Sequence, residues 1–181
     1  MALMDIIRSR HSVRSYSDRP VEREKLLQCL EAARLAPSAC NAQPWRFIVA
    51  DDPAIKEKLA GAAFGGIYAM DFAKKAPVLV AIVADQHSIP SRAGGTIRRV
   101  DFSLLDLGIA GEHFVLQAHE LGLGCCWIGW FDAVAAGKVL GVPRGKKVVY
   151  LLSVGYPAGE AAVPPHKRKA IEEMSGFNGW K

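Results

Sequence analysis

Much that would mark a familiar catalytic or membrane protein is missing from these 181 residues. No stretch approaches the run of about 18 apolar residues that a membrane-crossing helix needs, so a helical membrane protein is not expected. The opening MALMDIIRSRHSVRSY reaches arginines before any apolar run is long enough for a secretory leader, and a soluble cytoplasmic protein is the expectation. Cys29, Cys40, Cys125 and Cys126 form no CxxC pair, and the adjacent Cys125 and Cys126 are badly placed for an ordinary disulfide. All four read as reduced packing residues. There is no GxGxxG, no GxSxG elbow, and no HExxH among His11, His87, His113, His119 and His166. His113 and His119 are six apart, so one helix would point them in different directions. Neither a metal site nor a hydrolytic triad is expected, and no convincing general base stands out. Charge of one sign is not concentrated either. The 23 Lys and Arg against 18 Asp and Glu give a net +5 spread through the chain. That balance suits an anionic ligand such as phosphate, while a nucleic-acid binder would show a basic stripe.

What is present fits one domain over residues 1–181, since half the residues are hydrophobic and no repeat, low-complexity block or linker occurs. Residues 22–35 place Leu26, Leu27, Leu30 and Ala33 on one helical face, and Pro37 ends the helix. A short strand over 46–50 is followed by Asp52 as N-cap and Pro53 at the first helical position. The continuous apolar run 77–84 predicts a central strand covered on both faces. Between Asp85 and Arg99 the sequence turns polar and breaker-rich, which predicts a surface loop. Residues 102–121 predict a helix buried on several sides and closed by Gly122. Strands over 125–128 and 147–154 flank a short helix opened by Asp132. The last residues, from 157 to 181, lack a core pattern and read as an arm packing on something other than their own core.

Four clusters could carry chemistry. Arg10, His11, Ser12 and Arg14 offer guanidinium and hydroxyl donors to a phosphate or to electron-rich carbonyls, though a solvated basic turn has the same composition. The proline-bounded loop from Pro37 to Trp45 contains Ser38, Asn41 and Gln43, whose amides suit a heteroaromatic edge with alternating donors and acceptors. Trp45 itself reads as a core or interface aromatic. Around Cys125 to Ile128, Gly129 allows close approach of a ligand to the backbone, and Gly122 and Gly124 read as helix terminators. His166, Lys167 and Arg168 form a basic element in the arm, equally consistent with a solvated tail. Ring-binding and phosphate-binding groups without acid–base machinery indicate that a cofactor carries the chemistry.

Taken in order, Arg10-His-Ser12-Val-Arg14, Pro37-Ser38-Ala-Cys-Asn41-Ala-Gln43-Pro44-Trp45, Asp106-Leu-Gly108 running to Gly122-Leu-Gly124, and His166-Lys-Arg168 resemble the FMN-dependent nitroreductase family over nearly the whole chain. The resemblance implies an α+β fold, an α/β sandwich with a central mixed sheet flanked by helices, in an intertwined homodimer that exchanges C-terminal arms. It also implies FMN at the dimer interface and NADH or NADPH as electron donor. Arg10, His11, Ser12 and Arg14 would then hold the phosphate and pyrimidine edge, and Arg168 with His166 or Lys167 would complete the phosphate grip. Pro37, Ser38 and Asn41 would come from the partner subunit. The backbone at Ile128 and Gly129 would face flavin N5. Ala39-Cys40 and His166 depart from the family's usual residues, and Lys74 and Lys75 are further candidates for flavin contact. The implied reaction is ping-pong hydride transfer to a flat acceptor such as a nitroaromatic or quinone, with no catalytic side chain and Arg14 as electrostatic support. A deiodinase or flavin-fragmenting enzyme of the same fold, and a non-enzymatic flavin binder, share these motifs.

Overall fold

The computed structural model describes residues 2–85, 101–159 and 167–180. In chain order the described elements are α1 (Leu3–Ser9), α2 (Arg23–Arg34), β1 (Trp45–Ala50), α3 (Pro53–Ala63), α4 (Asp71–Lys74) and β2 (Val78–Ala84). They continue with α5 (Phe102–Glu120), β3 (Gly124–Ile128), α6 (Ala133–Val139), β4 (Lys147–Gly155) and α7 (Ile171–Met174). The surface loop expected after Asp85 lies outside the described residues, as does His166.

The strands form one sheet in the order β1-β2-β4-β3, and all three pairings are antiparallel. A parallel component enters through the isolated bridge between Ser12 and Cys125. Strand β2 is interior, and its alternation explains its unbroken apolar sequence. Val78, Val80 and Ile82 face one core with Leu107, Phe114 and Val115 of α5, while Leu79, Ala81 and Val83 face another with Leu59, Ala63 and Ala136. Helices α2 and α5 thus cover one face and α3 and α6 the other, giving an α/β sandwich.

Local capping sets the boundaries. Asp52, Asp101 and Asp132 each accept a hydrogen bond from a first-turn N–H, at 2.8 to 3.0 Å, and Pro53 occupies the first turn of α3. At the far end of α5, Gly122 takes φ +79°, with Gly122 N–H on His119 O at 3.0 Å and Leu123 N–H on Ala118 O at 2.8 Å. That double bond pattern is a Schellman termination. Gly111 lets the same helix lie against Trp127, because a Cβ there would sit 2.2 Å from the indole.

Two expectations need correction. Gly124 is not a helix terminator; a Cβ on it would lie 2.5 Å from Val13 Cγ2, so its role is close packing of a distant segment. Cys29, Cys125 and Cys126 are buried free thiols, but Cys40 is exposed and so is not the packing residue expected. Helix α5 is buried along Leu107, Ala110, Phe114 and Ala118, yet leaves Leu104, Leu105 and Ile109 exposed. Among the described residues, no helix is long and apolar enough to cross a membrane.

Candidate functional site

After α1 the chain extends along the outer edge of β3, where Val13 N–H donates to Cys125 O at 3.0 Å. Val13 is buried against Gly124. Alternation in extended backbone then directs Ser12 and Arg14 to the other side. There both lie near Cys126: burial pushes its thiol pKa up, against the opposing influence of the Arg14 charge and of polar Ser12. The Arg14 guanidinium also lies 5.8 Å from the centre of the Phe72 ring on α4, within cation–π range.

Arg10 and His11 are fixed by neighbours the sequence did not indicate. Arg10 Nε lies 3.5 Å from Glu112 Oε1, and the other Glu112 oxygen accepts from Trp127 Nε1 at 3.2 Å. His11 Nδ1 donates to Ser9 O at 3.1 Å, which leaves Nε2 as an acceptor in the neutral ring. Ser9 Oγ donates to Asp5 O at 2.7 Å and so accepts from His119 Nε2, also 2.7 Å away. Burial, then the charges of His11 and Arg10, hold the His119 pKa below its usual value.

Ile128 ends β3 as a buried residue, and the exposed Gly129 follows it. A Cβ on Gly129 would meet only Tyr150 Cε1 at 3.9 Å, so the described chain itself makes no demand for glycine there. Next comes Trp130, 60 % exposed, whose Nε1 donates to Ile67 O at 3.2 Å and whose ring lies 5.1 Å from Tyr68. Gly66, at φ +55°, turns this stretch back toward β3. Ser12 and Arg14 thus lie beside Cys126 of the edge strand β3, with Phe72 against Arg14, and the strand leads through Gly129 to the Trp130 and Tyr68 rings. Lys74 pairs with Asp71 in its own turn at 3.9 Å, and neither it nor Lys75 contacts this group through any described interaction.

Pro37, Ser38 and Asn41 lie elsewhere. Their loop is unusual: Cys40, Asn41 and Gln43 take φ of +53°, +52° and +46°. A left-handed conformation costs a non-glycine residue about 1–2 kcal/mol, so three of them need a strongly determining environment. Gln43 N–H donates to Ser38 Oγ at 2.9 Å, and Gln43 Nε2 donates to Asn41 O and Oδ1 at 3.2 and 3.1 Å. Ala39 N–H donates to Asp106 Oδ1 on α5 at 3.1 Å. The loop leads into β1, the opposite edge of the sheet from β3, about 14 Å away at ~4.8 Å per strand. Arg168 is exposed, its Nη1 donating to Lys167 O at 3.2 Å. The structure thus gathers Arg10, His11, Ser12, Arg14, Ile128 and Gly129 and leaves the loop and the arm apart from them. Glu112, Cys126, Asp106 and the aromatic group were not identified from sequence. Only Asp106 had a local signal, the acidic-glycine pattern with Gly108.

A family model described as the Nitroreductase family matches residues 7–156. The chain belongs to the nitroreductase family. Similar proteins include an NADH dehydrogenase of Thermus thermophilus, 32 % identical with 87 % of each chain covered. An iodotyrosine deiodinase of Haliscomenobacter hydrossis is 28 % identical, over 88 % of this chain and 81 % of its own. Among solved structures, an FMN-dependent nitroreductase of Clostridium difficile R20291 superposes with a TM-score of 0.77 at 30 % identity, covering 98 % of this chain and 99 % of the other. The nitroreductase-family match takes in the arginine edge, the Ser38 loop and β3 alike.

Proposed function

We propose that this protein is an FMN-dependent NAD(P)H oxidoreductase, working as a cytoplasmic homodimer on nitroaromatic, quinone or similar flat acceptors. The observation that carries the reading is the edge of β3, where Ser12 and Arg14 lie along a strand that runs into an exposed glycine and Arg14 sits over the Phe72 ring. This donor set fits FMN. Guanidinium and hydroxyl groups suit its phosphate and ring carbonyls, and Gly129 presents no side chain to a ring approaching the backbone. When bound, FMN supplies the redox chemistry, taking a hydride from NAD(P)H and passing it to the acceptor at N5 in a ping-pong cycle.

The chain's own groups bind and orient. Arg10 and His11 grip the phosphate from α1's end, joined by Arg168 with His166 or Lys167 from the arm. Ser12 and Arg14 take the pyrimidine edge, where Arg14 places positive charge against the negative charge that reduction brings. The backbone at Ile128 and Gly129 lies against the ring centre. Pro37, Ser38 and Asn41 sit at the far edge of their own sheet, so a second copy of the chain supplies them. Exposed Leu104, Leu105 and Ile109 on α5 support a pairing of two chains.

The purified protein is expected to absorb in the blue, to bleach anaerobically with NAD(P)H, and to recover its band on adding a nitroaromatic or quinone. A colourless protein that takes up no added FMN would sink the reading. Arg168→Ala should lower FMN retention while leaving thermal unfolding of the FMN-free protein unchanged; equal flavin content in variant and parent counts against the phosphate role. Similarity to an iodotyrosine deiodinase favours reductive dehalogenation as the second reading, which iodotyrosine turnover would distinguish.

A further inference from the structure

Asp106 stands out among the buried polar groups. It is 4 % exposed, and of its two carboxylate oxygens Oδ1 accepts from Ala39 N–H while Oδ2 is buried with no hydrogen-bond partner among the described residues. Burying a carboxylate oxygen without a donor is costly, so stability of the chain does not explain this residue. A leucine would pack at the same place on α5 and remove the unmet carboxylate oxygen, leaving the N–H of partly exposed Ala39 to find water instead. What the carboxylate adds is a charge-assisted bond to the residue that opens the left-handed run. The other hydrogen bonds within that run, from Gln43 to Ser38 and Asn41 and from Asn41 N–H to Ser38 O, are internal to the loop.

We propose that Asp106 is a positioning residue that holds the Ser38–Gln43 loop in its left-handed form, with one carboxylate oxygen left unpaired in the interior. The inference rests on the reading that this loop contacts FMN, and it deepens that reading. Helix α5 carries both this anchor and, six residues on, Glu112, which ties down Arg10 and Trp127. At 1.5 Å of rise per residue the two anchors are about 9 Å apart on one rigid element. A single helix therefore holds both the loop that one chain lends to its partner's site and the arginine edge of its own.

Two variants, D106L and D106N, separate positioning from plain structural support. FMN-stripped proteins are titrated with FMN by quenching of flavin fluorescence, their thermal unfolding is recorded, and the exposed Cys40 thiol is timed against DTNB. In D106L, FMN binding should weaken about tenfold or more as preorganisation is lost. Its FMN-free Tm should hold or rise, and Cys40 should react about fivefold faster as the loop opens locally. D106N retains an oxygen acceptor for Ala39 N–H but loses its charge, and should fall between the parent and D106L in FMN affinity and Cys40 rate, with Tm near the parent's. The proposal is overturned if D106L matches the parent in Cys40 reactivity, if D106L fails to fold or loses Tm, or if D106N behaves as D106L does. Failure of the parent to bind FMN removes the cofactor reading alone, because the Cys40 rates still decide whether Asp106 holds the loop.

Discussion

Trp130 keeps 60 % of its surface exposed although its indole N–H is fixed on Ile67 O and its ring rests against Tyr68. An aromatic held rigidly in water is a ready stacking face, since little side-chain freedom remains to be lost when a flat molecule covers it. Its place directly after Gly129 puts that face beside the proposed reaction centre. Stacking of this kind contributes about 0.5–1.5 kcal/mol, so Trp130→Ala should raise KM for a nitroaromatic acceptor roughly two- to tenfold. Flavin content and the rate of reduction by NAD(P)H should stay at the parent's values. If both half-reactions slow together in stopped-flow traces, Trp130 supports the fold around β3 and has no acceptor role.

Among the elements, β3 and the extended segment alongside it form the joint on which the arginine edge depends. The joint is tight: a Cβ on Gly124 would fall 2.5 Å from Val13 Cγ2 and 2.7 Å from Val13 Cβ. Gly124→Ala should therefore push Val13 and its neighbours off β3, destabilising the protein by about 1–3 kcal/mol as overpacking does. Added FMN should then bind far more weakly than Tm alone would suggest, because Ser12 and Arg14 move with Val13. Retention of parental FMN affinity by a destabilised variant would count against the joint. Val13 and Gly124 also show where sequence stops being readable. The caps at Asp52, Asp101 and Asp132, the stop at Gly122 and the alternation of β2 are local, and the chain within a few residues determines each. Val13 meets Gly124 across more than a hundred residues, and Arg14 meets Phe72, and Tyr68 meets Trp130, only once α3, α4 and β3 are packed. The exposure of Cys40 depends on a left-handed loop that Asp106 stabilises from another helix. The arginine edge and the Ser38 loop were legible as motifs because their residues are contiguous, whereas the contacts that hold them in place are not.

At the scale of the molecule, the described arm carries Ile171, Met174, Phe177 and Trp180 in the open, the last two at 84 % and 102 % exposure. Apolar side chains left bare on an arm and on α5 would be covered in the proposed pair of chains. The separation of the loop from the arginine edge has a further consequence. In the proposed dimer each site would take its arginines from one chain and its Ser38 loop from the other, so two differently damaged chains could repair one another. A chain disabled at Arg10 and Arg14 and a chain disabled at Ser38 and Asn41 would each be inactive alone. Denatured together and refolded, about half the dimers would be mixed, and each mixed dimer would hold one site built wholly from intact parts. Recovered flavin binding should approach about a quarter of the parent's capacity, and none should return if every site belongs to a single chain. In a cell carrying both genes, two null alleles would add up to a working enzyme.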